Sequence, residues 1–265
     1  MSQFSQLLGT DFDGQPTTDL DDVIYGGLDD PRHRDRVPGL IELMEDASAP
    51  VRERFLSCLA LTTWGELAGY NAVMSAARNA KLAPWYEILI DRKFSVDSTF
   101  AQLAVSVSDS DEMAEEKGTL TQRTEAFRAL VHIVDSEYFE DKLGEIIDRT
   151  SVSTLLGDIA GTVERGVASL TVQKPQRFDV ATQLVDLACA VALVDGRVAA
   201  KLVMDVLSVA PSHRTLVHAV TLLHRSKSPE VQQLGDYMTS IGDEQVRHMV
   251  TQALQQGGGS HDRQP

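Results

Sequence analysis

Apolar residues in this chain recur three and four positions apart much more often than they alternate. Val37, Leu40, Ile41 and Met44 fall on one face of the segment 34–45, the spacing of an amphipathic helix. The run Asp46-Ala47-Ser48-Ala49-Pro50 then interrupts the pattern before a second apolar segment over 50–67. A proline suits the first turn of that second helix, because the N–H it lacks would have no partner there and its φ is preset. The same reasoning predicts a short helix over 19–25 and further helices over 69–80, 84–93, 121–135, 137–149, 178–194, 198–209, 215–223, 229–241 and 244–254. Phe100, Leu103, Ala104 and Val107 have helical spacing over 98–107, although Val105 and Val107 among serines leave a strand open. The polar, acidic stretch 108–118 reads as a loop. Segment 152–172 is ambiguous: Gly157, Gly161 and Gly166 each weaken a helix by about 1 kcal/mol relative to Ala, yet permit close helix crossings. Asp195-Gly196 reads as the stop of 178–194, with Gly196 as its C-cap.

Two helices joined by a short turn form a hairpin, and a lone hairpin cannot bury its own apolar face. An all-α fold of antiparallel hairpins that lean on their neighbours follows. Three joints also share a local grammar. Asp46 precedes Ala49-Pro50-Val51-Arg52; Ser228-Pro229-Glu230-Val231 keeps the proline and valine, with Gln232 next; Asp243-Glu244-Gln245-Val246-Arg247 keeps Asp, Val and Arg without the proline. This resembles the HEAT or armadillo-like class of α-helical repeats, whose second helix often opens with Asp-x-x-Pro-x-Val-Arg. The resemblance extends over about half of the chain. It implies an irregular HEAT-like α-solenoid with an exposed trough; a compact multi-helix bundle is the alternative architecture.

Composition sharpens the picture. The 265 residues carry 24 Lys and Arg against 39 Asp and Glu, a net charge of −15. Such a surface repels nucleic-acid backbone and anionic lipid, so neither is an expected partner. The charge is uneven: residues 1–30 hold seven Asp and no Lys or Arg, and residues 97–116 hold six acidic residues and no basic one. The division predicted from these shifts is an acidic N-terminal arm over 1–30, a first helical lobe over 31–173, a second over 174–254 beginning at Lys174-Pro175, and a disordered tail over 255–265. No stretch of 18 apolar residues occurs and the N-terminus is polar, so neither a membrane span nor a signal peptide is expected and the cytoplasm is the natural location.

Candidate chemistry is sparse. Cys58 and Cys189 both lie in apolar helical patterns and read as buried free thiols. Asp11-Phe12-Asp13-Gly14 has the look of a metal loop, but Pro16 and Asp22 stand where a calcium loop needs Gly and Glu. His213, His218 and His224 are five and six apart, unlike ligand pairs on one helical face; with Arg214, Arg225 and Lys227 they are candidates for one surface patch. No nucleophile elbow, dinucleotide fingerprint or phosphate loop occurs. No catalytic residue, cofactor or metal site is therefore assigned. The expected function is that of a protein-binding scaffold or adaptor for a partner with a basic surface, possible in the specific form of an inhibitor or immunity-type protein. A helical-repeat enzyme acting on a small molecule or a nucleic-acid base is the alternative. The aromatic residues Trp85 and Tyr86 are the expected anchors, and Asp109, Asp111, Glu112, Glu115 and Glu116 the charged rim.

Overall fold

A computed structural model describes residues 2–91, 96–139, 142–172 and 175–256. Among these residues the fold is all-α, with fifteen helices: α1 Gln3–Leu7, α2 Leu20–Asp29, α3 His33–Glu45, α4 Val51–Thr63, α5 Leu67–Arg78, α6 Thr99–Asp109, α7 Asp111–Glu116, α8 Leu120–Val131, α9 Leu143–Ile146, α10 Arg149–Thr171, α11 Val180–Ala190, α12 Gly196–Val209, α13 His213–Arg225, α14 Pro229–Ile241 and α15 Glu244–Gln256. Extended pairing among the described residues is confined to one antiparallel ladder of two residues per strand, β1 Ile90–Asp91 with β2 Val96–Asp97, and an isolated antiparallel bridge between Thr10 and Pro16. The chain divides into two compact units, Met1–Leu130 and Val131–Pro265.

In the first unit α4 is the central rod. Eight of its residues, Phe55 and Ser57 to Thr63, are buried, and α2, α3, α5 and α6 all pack on it. Gly65 ends its last turn with a φ of +70°, a conformation any Cβ would strain. Residues 1–30, expected as an arm, belong to this body: Leu8, Val23 and Ile24 are buried. The Arg36 guanidinium holds them there, donating to the carbonyl oxygens of Leu7, Thr10 and Asp11 at 2.7 Å each. It also lies 4.2 Å from the centre of the Phe12 ring, a cation–π contact.

In the second unit α11 is the buried rod, with all of its residues but Asp186 out of solvent. From α10 to α13 each helix packs on the next two in sequence, and α14 packs on α15. The division between units falls at residue 130, not at Lys174-Pro175. The reason is packing: α10, which precedes that break, lies against α11 and α12, which follow it. Lys174 itself and the tail over 257–265 lie outside the described residues.

Several sequence expectations need correction. The helix over 84–93 is absent from its described part, which forms turns leading into β1; Glu87 there has a φ of +59°, incompatible with a right-handed helix. The loop over 108–118 contains α7, because Met113 and Ala114 bury against the core and Asp111 and Glu112 suit a helix start. The helix over 137–149 shrinks to the single turn of α9, while 152–172 forms the long helix α10. Of these three glycines Gly166 alone makes a close approach, to the Leu184 side chain; Gly157 and Gly161 face open space. Gly196 is the first residue of α12, and Asp195 caps that helix by accepting from the Arg197 and Val198 N–H groups.

Candidate functional site

The Pro84-Trp85 segment follows a single 3-10 turn, Ala80–Leu82, at the end of α5. Trp85 folds inward: it is 4% exposed and its ring centre lies 6.1 Å from that of Phe55. Tyr86 is half-buried. The turn is pinned from below by Asp97. One of its carboxylate oxygens accepts from the Glu87 N–H at 3.0 Å, the other from the Thr99 N–H at 3.1 Å and its hydroxyl at 2.5 Å. Backbone strain at Glu87 costs on the order of 1 kcal/mol or more and persists because these bonds over-determine it. Trp85 thus forms a wall, and the space it bounds is a cavity of about 630 Å³ between the end of α3, Arg54 of α4, α5 and the turn.

The five rim carboxylates lie on the end of α6 and on α7. Asp109 accepts from the Tyr25 hydroxyl at 2.8 Å, and Asp111 lies 3.3 Å from the buried Arg123 guanidinium. Glu116 is ion-paired with Arg34. Glu112 and Glu115 are exposed. Three of the five therefore bind their own chain, and the sequence had no way to reveal partners 84, 12 and 82 positions away.

A buried polar hub, invisible to periodicity, sits between these helices. Lys117 donates from Nζ to the Trp64 carbonyl at 2.7 Å, to the Glu66 carboxylate at 2.5 Å and toward His33 Nε2 at 3.0 Å. His33 Nδ1 faces the Asp30 carbonyl at 2.8 Å, and the ring lies 5.2 Å from that of Trp64. With Nε2 accepting from an ammonium, the imidazole is neutral and Nδ1 carries the proton. Burial, reinforced by the charges of Lys117 and Arg34, pushes the His33 pKa below its ordinary value.

A second concavity runs along the outer face of α4. Two adjoining spaces of about 350 and 430 Å³ meet over Thr18, Leu20, Arg52 and Leu56. Ile24, Leu56 and Leu59 make an apolar floor, and the exposed carboxylates of Asp19 and Asp21 stand on one lip. Arg52, Leu56, Leu59 and Thr63 follow one helical stripe, roughly 16 Å long at 1.5 Å per residue. The acidic composition of residues 1–30 is the sequence signal for this lip; the floor beneath it required the packing of α2 on α4.

In the second unit the histidines do not assemble. All three lie on α13, but His213 faces Asp243 just before α15 at 2.7 Å, His218 faces Asp186 on α11 at 2.8 Å, and His224 is exposed. Arg214 lies 3.9 Å from Asp179. The Cys189 thiol is pushed up to about 12 by burial, so the thiolate a nucleophile needs is suppressed. Among the described residues no group of three His, Cys, Asp or Glu is placed to hold a metal ion, and no helix is long and apolar enough to cross a membrane. No family model, no curated protein and no solved structure matches this chain.

Proposed function

We propose that this chain is a HEAT-like binding module whose α4 groove takes a cationic amphipathic segment of another protein. The observation that carries the reading is the groove itself: an apolar floor of Ile24, Leu56 and Leu59 under a lip bearing Asp19 and Asp21. An amphipathic helix laid there buries its apolar stripe on the floor and sets basic residues against the lip, a recurring mode of peptide recognition. Burial supplies affinity, while the acidic field raises on-rate and discriminates partners. The successive packing of α10 to α15 supports the hairpin-stacking part of the proposal. An inhibitor of a basic enzyme is the most specific form of this function.

The test is capture from native lysate with the full chain as bait, at low and high salt, with the partner identified by mass spectrometry. A cationic protein retained at low salt, released at high salt and lost with Leu56→Asp supports the reading. Capture that survives both high salt and Leu56→Asp excludes the groove.

A further inference from the structure

We propose that the cavity between the end of α3, Arg54 of α4, α5 and the Trp85 turn is a second, separate site, built for a small organic anion: a carboxylate or phosphate carried on an apolar body. Its sign is opposite to that of the molecule. Two cations, Arg54 and Arg78, line it against one lining carboxylate, Glu45, with the Asp46 carboxylate outside the lining but within electrostatic reach of Arg54, in a chain of net charge −15. Neither arginine has an ion-pair partner among the described residues. Arg54 is held in place, because its Nε donates to the Met44 carbonyl at 3.0 Å; this orients its two terminal nitrogens as a fork, the geometry that matches carboxylate and phosphate oxygens.

Along α5, Asn71, Ser75 and Arg78 all line the cavity at intervals of four and three, so they form one polar stripe of the helix. Met44, Leu82, Ala83, Pro84 and Trp85 supply the apolar part of the lining. That part is also one acceptor short: the Trp85 Nε1 hydrogen is buried with no partner among the described residues, an unusual state for an indole N–H. A volume of about 630 Å³ falls within the range of small-ligand sites. An anionic end at the arginines and an apolar body against the tryptophan use the charge and the apolar lining, and an acceptor atom on that body would meet the Trp85 N–H. A cationic segment, the ligand proposed for the α4 groove, is repelled here.

Saturation-transfer NMR on the full chain distinguishes the chemistry, using phenylacetate, phenyl phosphate and, as the cationic counterpart, phenethylamine. Saturable binding of one or both anions without binding of the amine is expected, and the tighter anion identifies the head group. Arg78→Gln, at an exposed position, is expected to weaken that binding by about tenfold, the loss of one charge-assisted contact. Ala72→Trp, which fills the cavity, is expected to abolish it. The proposal is overturned by no saturable binding of either anion, by equal binding of the amine, or by anion binding that Arg78→Gln leaves unchanged. None of these outcomes bears on the α4 groove, whose test reads a protein partner.

Discussion

Gly27 and Trp64 show how closely single side chains are constrained in the first unit. The Trp64 Nε1 donates to the Ile24 carbonyl at 2.7 Å, and a Cβ on Gly27 would lie 2.5 Å from that same nitrogen. Gly27→Ala must therefore displace a buried indole and is expected to destabilise by about 1–3 kcal/mol in urea unfolding. Gly157→Ala, in open space on α10, is expected to stabilise by about 0.5–1 kcal/mol through helix propensity alone. His33 adds a pH dependence with a definite sign. Its folded pKa lies below the unfolded value of about 6.5, chiefly through burial, with Lys117 and Arg34 acting in the same direction and the Asp30 carbonyl and Glu66 opposing. Between the two values the unfolded chain binds a proton that the folded one refuses, so stability falls as pH drops below the unfolded value. Urea midpoints measured from roughly pH 7.5 to 5.5 should fall less steeply for His33→Gln than for the parent chain; equal slopes would remove His33 as the cause.

Caps and turns decide where helices begin, and here short polar residues outrank glycine and proline as signals. Asp195 accepts from two N–H groups at 2.9 and 3.1 Å, whereas Gly196, the apparent stop, begins α12 at a point where a Cβ would lie 1.9 Å from the Ser226 Oγ. Asp195→Ala should cost about 1 kcal/mol in thermal or urea unfolding; a loss below a few tenths would return the joint to a glycine-controlled one. Ser212 and Ser228 cap α13 and α14 in the same way, and Pro229 stands in the first turn of α14 as its spacing predicts. The 84–93 segment failed for a different reason. Its local apolar content suits a helix, but the Asp97 carboxylate, ten residues downstream of Glu87, captures the Glu87 N–H and fixes a left-handed turn. A long-range bond overrode a weak propensity.

Charge and packing act over the whole chain. Steering by the acidic lip should show in kinetics: Asp19→Lys with Asp21→Lys is expected to slow association with the captured cationic partner by about tenfold at low salt. The difference should fade at high salt, as screening shortens the reach of exposed charges. An effect on dissociation alone would place these carboxylates outside the steering field. Each unit also holds one buried cysteine, Cys58 and Cys189, whose thiols burial pushes up to about 12. A thiol reagent should therefore modify neither in the native state, and Cys58→Ser and Cys189→Ser variants should report the opening of each unit separately.

Helix after helix was readable from the chain alone because a 3.6-residue apolar stripe is a local property, written within a dozen residues. The acidic character of residues 1–30 was equally plain from composition. Their incorporation into the first unit was not, since it rests on Arg36 reaching back to three carbonyls 25 to 29 positions away. The same holds for the two concavities. Arg54 and Arg78 are ordinary helix-surface residues in sequence, and Trp85 stood out there only as an aromatic anchor for a protein partner. That they share a cavity follows from how α4, α5 and one strained turn meet, and no local pattern encodes a meeting of separate segments.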